Sequence, residues 1–394
     1  MLIGCFANDT RRFLRAMDKS KPTLRRWLPY ASELGQDEQL YDRHPDYLYP
    51  PFFLTLLRPL TLVSPTAAAV LWQLGKYVAL VGTFMLAWSL LARAGPLPLV
   101  VKVASVIMSL RFITSDIGHG NVNLFIAFLV VLAAWFLSRG RPVSCGLTVA
   151  IAACIKVTPA LWAVYLLYKR QWRATLGVLI GAAFALEVVP LAVVSPSMNH
   201  ALLGRWYTRV VHDYAAGGHV YSTRMNQSLV AVSNRLLGRS DLAPEEKPVS
   251  MVALSPGTIV WIQRAISLVF IALLAWSCRG LLPESDPIAF AAEWSLVAAV
   301  TLALSGYTWT GHYCLLILAH VVAPAYLVQR GSTRFDRPVL LLLFASFALM
   351  SLTGDLLTPT GRERASSIGL VFFGMLTLAT CLWLIRERRH MSQA

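Results

Sequence analysis

"SRGRPVSCGLTVAIAACIKVTPALWAVYLLYKRQWR", residues 138–173, decides the fold. A basic cluster stands at each end, "SRGRP" at 138–142 and "YKRQWR" at 168–173. The apolar stretch between them is enough for one crossing, since a membrane-spanning helix needs about 20 such residues. One crossing would put the two clusters on opposite faces, yet Lys and Arg collect on the cytoplasmic side. The charge rule therefore asks for an even number of crossings. We read a broken or re-entrant pair, about 143–155 and 157–168, with Lys156 and Pro159 at its apex. The proline ring and its missing N–H make a break there natural. Such short limbs have to lean on protein, because irregular backbone at membrane depth survives only when shielded or facing a cavity.

The rest of the chain agrees with this setting. Of 394 residues, 56% are hydrophobic and only 14% charged. Soluble domains carry about 25% charged residues. Apolar runs at 66–92, 173–194, 257–278, 287–305, 312–329, 337–354 and 366–386 approach or reach spanning length. They lack the alternation of a barrel, and an open sheet edge does not persist in lipid. The expected fold is all-α: a polytopic transmembrane helix bundle with about 10–11 membrane segments. Net charge is +15. We read it as topological, not as a nucleic-acid surface, because basic residues also gather at "QRGSTRFDR" (329–337) and "RERRH" (386–390). The six cysteines show no metal-ligand spacing. No paired Asp-x-Asp motif is present either, so no metal and no cofactor is expected.

With the basic clusters inside, three polar segments fall outside: "RFITSDIGHGNVNLF" (111–125), the long stretch 195–256, and "SGYTWTGHY" (305–313). Residues 1–65 are expected to form an external segment with a short interfacial helix, and 66–394 the transmembrane domain. The basic N-terminal segment breaks the charge rule, so a further transmembrane helix is expected upstream of it. Lys156 near the outer side needs a partner, because a lysine at the bilayer centre costs at least about 2.5–3.5 kcal/mol. An internal carboxylate, Glu187 or Glu293, is one candidate. An anionic ligand such as a lipid phosphate is the other.

Several segments carry a family likeness. "YPPFFLTLLRPL" (49–60), "GNVNLFIAFLV" (120–130), the stretch 145–174, "NQSLVAVSNRLL" (226–237) and "SGYTWTGHY" occur in order. Together they resemble glycosyltransferase family 87, membrane mannosyltransferases of the GT-C superfamily that use polyprenyl-phosphate-mannose. Asn121 stands where the family usually has Gln, and Gly311 replaces the first of two histidines, His312 keeping the second. The resemblance implies a GT-C bundle with an external active site. It implies transfer of a hexose, mannose by family, from a polyprenyl-phosphate sugar to a glycolipid or glycan acceptor at the plasma membrane, with no nucleic-acid partner. Under it Lys156 meets the donor phosphate, supplemented by Arg224 and Arg235, and stabilises the leaving group. Family chemistry is inverting, so a single carboxylate base suffices. The family places it before Tyr-Pro-Pro. Asp9, Asp18, Asp37, Asp42 and Asp46 are candidates there; Asp18 is preferred, with Asp116 as a further one. His119, Asn121, Asn123, Asn226, Gln227, Trp309 and His312 are assigned to substrate. Each has a plainer alternative: helix caps for Asn226 and Gln227, core packing for His312, loop charges for the aspartates. At the level of the whole protein, a flippase or transporter of a lipid-linked sugar, or a catalytically degenerate family member, is the alternative.

Overall fold

Helix starts repeat one chemistry in this chain. Ser195, Ser255, Asp286 and Thr358 each precede a proline, and each side chain accepts a backbone N–H from the first turn that follows. Ser228 and Asp336 cap in the same way. The cap satisfies an N–H with no intrahelical partner, and proline at the first helical position has no N–H to leave unsatisfied. The computed structural model describes residues 2–18, 22–212, 222–238, 249–283, 285–329, 336–354 and 357–391.

In chain order the α-helices are α1 Leu2–Asp18, α2 Thr23–Glu33, α3 Leu40–Arg43, α4 Pro51–Leu57, α5 Pro65–Leu91 and α6 Leu99–His119. Then come α7 Asn123–Ser138, α8 Pro142–Ile155, α9 Ala160–Tyr168, α10 Trp172–Ala183, α11 Pro196–Trp206 and α12 Leu229–Leu237. The last are α13 Pro256–Ser277, α14 Pro287–Leu304, α15 Ile317–Gln329, α16 Arg337–Ser351, α17 Pro359–Ile368 and α18 Leu370–Met391. No strand occurs among the described residues. Six helical stretches there are long and apolar enough to cross a membrane: 65–94, 172–192, 256–277, 287–304, 310–329 and 370–389. The fold is thus an all-α polytopic bundle. The expected run 337–354 yields a helix of only 15 residues.

The chain forms two units: Met1–Thr83 with Ile113–Gly218, and Phe84–Phe112 with His219–Ala394. In the first, α8 ends at Ile155, Lys156 takes extended backbone (φ −147°, ψ 127°), and α9 starts after Pro159. The break is therefore where the sequence puts it. Contacts between α8 and α10 give the direction of the return. Gly177 of α10 lies against Val143, Gly146 against Ala174, and Gly181 against Leu147 and Ala150. Position rises along both helices together, so α8 and α10 run parallel and α9 brings the chain back. The basic clusters 138–142 and 168–173 consequently lie at one end of this unit. A Cβ on Gly146 would fall 1.9 Å from the Ala174 carbonyl oxygen. Small residues spaced by four allow such close approach between membrane helices. Beyond Ala183 the span continues as a π turn and a 3-10 turn to Ala192. Pro190 explains the irregularity: it cannot donate to the Leu186 carbonyl four residues back. Buried Asn199 supplies that hydrogen bond from its Nδ2, at 2.8 Å.

In the second unit α14 is buried nearly along its whole length. Its Glu293 meets Arg386 of α18 at 2.6 Å, both enclosed. Arg389 pairs with the cap residue Asp286, and Arg388 with the cap residue Asp336. The C-terminal basic cluster therefore lies at the end of the unit where α14 and α16 begin.

Candidate active site

The site in the first unit starts from a lysine that sequence reasoning passed over. Lys76 sits mid-way along α5, and its side chain is fully enclosed, as is that of Asp116 on α6. Their charges meet at 2.7 Å. The same ammonium donates to the backbone carbonyls of Asp116 and Asn121, the latter at 2.8 Å. It thus stands at the C-terminal end of α6, where the helix dipole favours a cation. Gly120 makes the tight turn that follows, at φ +64°, a conformation open to glycine without penalty. Trp72 holds the turn by donating Nε1–H to the Gly120 carbonyl at 3.0 Å.

The turn delivers Asn123 to the start of α7, over Asp116. Asn123 Nδ2 donates to Asp116 Oδ1 at 2.9 Å, and the Leu124 N–H donates to Oδ2 at 3.3 Å. Asp116 therefore also caps α7. On its other side Asn123 accepts: half-buried Lys156 donates from Nζ to Oδ1 at 2.8 Å. A relay results, Lys76–Asp116–Asn123–Lys156, in which a cation, an anion, an amide dipole and a second cation alternate in polarity. Neither carboxylate named beforehand as the internal partner of Lys156 fills that place. Glu187 accepts from His200 at 2.9 Å, and Glu293 is held by Arg386. Among the described residues the carboxylate that joins this arrangement is Asp116, linked to Lys156 through the Asn123 amide.

Two further family-like segments meet the relay. Tyr49, before the proline pair that opens α4, donates from its hydroxyl to Asn121 Oδ1 at 3.4 Å. Trp27 of α2 packs edge-on against Tyr49, Phe53 and Trp72. The segments 49–60, 120–130 and 145–174 thus converge in one unit. His119 lies exposed beside the turn, its Nδ1 on the Ser115 carbonyl at 2.7 Å.

The carboxylates divide clearly. Asp116 is enclosed, and Lys76, Asn123 and the Leu124 N–H already donate to its oxygens, an arrangement that suits an anchor better than a base. Asp18 ends α1, but its side chain lies outside the described residues. Asp9, also on α1, accepts from the Tyr77 hydroxyl at 2.6 Å. The other end of α1 leans on the site: Phe13 lies where a Cβ on Gly120 would go. Asp46 is held by Arg26 and Tyr30; burial, with Asp46 beside it, pushes the Tyr30 phenol up to about 12. The hydrogen bond from Arg43 holds Asp37 below the usual carboxylate range. Asp42 takes Arg205 and Arg209 of the segment after α10 at 2.6 Å each.

The remaining two segments meet each other within the second unit. Asn226 Nδ2 donates to the Gly306 carbonyl, and its Oδ1 accepts the N–H of Thr308. The Gln227 N–H reaches the Thr308 carbonyl, and the Tyr313 hydroxyl donates to the Gln227 carbonyl. Gln227 Nε2 donates to the carbonyls of Arg224 and Ser366. These side chains tie two loops together, and both are buried. Arg235 is enclosed too. Its guanidinium donates to the carbonyls of Ser367, Thr223, Asn226, Ser222 and Ser366, the arrangement of a loop clasp, with the phosphate role left as an expectation. Arg224 pairs with Glu363 at 3.0 Å. His312 accepts the Trp309 N–H at Nδ1, so a neutral ring carries its proton on Nε2, and the Trp309 ring is exposed. No cluster of His, Cys, Asp or Glu able to hold a metal occurs among the described residues.

Comparisons with known proteins give this geometry its setting. The sequence profile described as glycosyltransferase family 87 matches residues 47–306, more than half of the chain. A polyprenol-phosphate-mannose-dependent alpha-(1-2)-phosphatidylinositol pentamannoside mannosyltransferase of Mycobacterium tuberculosis is 28% identical over 385 residues, covering 91% of this chain and 80% of its own. Its counterpart in Mycolicibacterium smegmatis is 28% identical over 284 residues, 70% of this chain and 61% of its own. A polyprenol-phosphate-mannose-dependent alpha-(1-2)-phosphatidylinositol mannoside mannosyltransferase of M. tuberculosis is 25% identical, covering 81% of this chain and 70% of its own. No solved structure matches the chain.

Proposed function

The chain belongs to glycosyltransferase family 87, and from that premise we propose that it moves mannose from polyprenyl-phosphate-mannose to a glycolipid acceptor at the extracytoplasmic face of the plasma membrane. The observation that carries the reading is the half-buried Lys156 ammonium, held at a helix break by the Asn123 amide. The relatives' names supply the donor and the acceptor class.

In the proposed reaction the acceptor hydroxyl oxygen attacks the anomeric carbon opposite the phosphate. A bond forms from that oxygen to the carbon. The carbon–phosphate-oxygen bond breaks, and polyprenyl monophosphate leaves with the electron pair. Lys156 meets the charge that grows on the leaving oxygens, at a position fixed before reaction. The hydroxyl proton passes to a carboxylate, and attack from the far side inverts the anomeric centre. We assign the base to α1, to Asp18 or Asp9, because that helix leans on the Gly120 turn. Asp116 serves instead as the anchor of the relay. Tyr49 and the Asn121–Asn123 turn lie close enough to the cation to contact the sugar. The family likeness also implies a phosphate role for Arg224 and a substrate role for Trp309 and His312, and these stand as part of the proposal.

The test is transfer of radiolabel from polyprenyl-phosphate-mannose to phosphatidylinositol mannoside by the purified protein in liposomes. Wild type should transfer label, and Lys156→Ala should fold and lose turnover by about 100-fold or more, the scale of one stabilising group removed from a transition state. Bound label that never reaches an acceptor, or a fully active Lys156→Ala, would defeat the reading.

A further inference from the structure

Lys76 belongs to none of the family-like segments, yet its charge is fully enclosed and joined to Asp116. We propose that Lys76 is a positioning residue for the donor cation: by balancing Asp116 it fixes which way the Asn123 amide points, and that direction sets where Lys156 presents its charge. The inference rests on the reading of Lys156 as the contact for the donor phosphate.

The argument is one of polarity. Asn123 places its NH2 on a carboxylate and its carbonyl oxygen on an ammonium. Turned over, the amide would set its NH2 against Lys156 and its oxygen against Asp116, and both contacts would repel. The direction of the amide is therefore dictated by the two charges at its ends. Asp116 can keep its charge in an enclosed position only with a cation against it, because a buried ion with its partner removed is strongly disfavoured. Lys76 is that cation. Without it, Asp116 has two courses. If it takes up a proton it becomes a hydrogen-bond donor, and the amide is no longer bound to one orientation. If it stays ionised it draws the next cation, and that is Lys156, one side chain away. Either course moves the Lys156 ammonium from its present place. Lys76 also binds the carbonyls of Asp116 and Asn121, so it holds the turn that carries Asn123 as well as the charge behind it.

The experiment compares Lys76→Met, Lys76→Gln and the double variant Lys76→Met/Asp116→Asn in liposomes. It reads donor KM, kcat and thermal midpoint, with Lys156→Ala alongside. Lys76→Met should raise donor KM by about tenfold or more with a smaller change in kcat, the pattern of an interaction lost from donor binding. The double variant, which removes both enclosed charges and leaves an amide oxygen for Asn123, should bring donor KM back down by at least about threefold. Should Lys76→Met not fold, Lys76→Gln carries the same expectation, because it retains a donor for the two carbonyls but no charge. A folded Lys76 variant with wild-type donor KM overturns the inference. So does a double variant that recovers nothing, since Lys76 would then act by packing or on the donor itself. Wild-type donor use by Lys156→Ala overturns the donor reading beneath it. Loss of donor use there, with donor KM unmoved by Lys76 variants, overturns this inference alone.

Discussion

Two cations, one enclosed and one half-buried, illustrate how differently a charge can be employed. Arg235 spends its guanidinium on five backbone carbonyls, whereas Lys156 holds an amide at a helix break. Removing the first should unfold, and removing the second should disarm. Arg235→Met leaves several buried acceptors without a donor, and each can cost about 1–3 kcal/mol. We expect a clear fall in thermal midpoint for Arg235→Met, with donor KM unchanged in the folded fraction; a raised donor KM at unchanged stability would restore Arg235 to the phosphate. Asn123→Leu should fold and lose donor turnover, read in the same transfer assay. Sequence made Lys156 visible because a proline and a basic cluster flank it. Lys76 stayed hidden inside a long apolar run, with no break or turn to mark it. A signal did exist: Gln73 and Lys76 lie three apart, on one helical face, in a segment otherwise suited to lipid. Nothing in the sequence said that Asp116 would be the carboxylate that Lys76 meets, because the contact joins different helices.

At the scale of the element, the glycines of α8 and α10 decide more than the hydrophobic residues around them. Val143 faces Gly177, Gly146 faces Ala174 and Val178, and Leu147 and Ala150 face Gly181, at distances that leave no room for a larger side chain at the glycines. Gly146→Val should therefore force α8 and α10 apart. Gly257, which has nothing within 4 Å of its would-be Cβ, is the control and should accept alanine. The measure is the monodisperse yield by size exclusion in detergent; equal yields for both would refute the close approach. Ser228→Ala should cost about 1 kcal/mol, as loss of a helix cap generally does, read as a lower thermal midpoint. The starts at Ser195, Ser255, Asp286 and Thr358 stand in the sequence as Ser-Pro, Asp-Pro and Thr-Pro pairs, whereas Ser228 precedes a leucine. The short α16 was less so: its apolar run continues past Ser351, and composition does not reveal where a helix stops.

For the whole molecule, charge placement asks for an even number of crossings between the two basic clusters, and the first unit contains that return. The parallel course of α8 and α10 puts residues 138–142 and 168–173 at one end, as an even number of crossings requires. Ser138→Cys and Gln171→Cys should then react with a membrane-impermeant thiol reagent from the same side, the cytoplasmic one; labelling from opposite sides would refute the return. What composition could not supply was the grouping of segments. Five family-like stretches follow one another in sequence, yet three meet around Lys156 in one unit, and two lace together in the other. The parallel pair has a consequence for biogenesis. The returning limb α9 has nine residues, which at about 1.5 Å each reach less than half of a hydrocarbon core some 30 Å thick. Such a piece has no standing in lipid by itself. As the nascent chain leaves the ribosome, α8 and α9 have to wait beside the insertion machinery until α10 emerges, and all three then partition into the bilayer as one body.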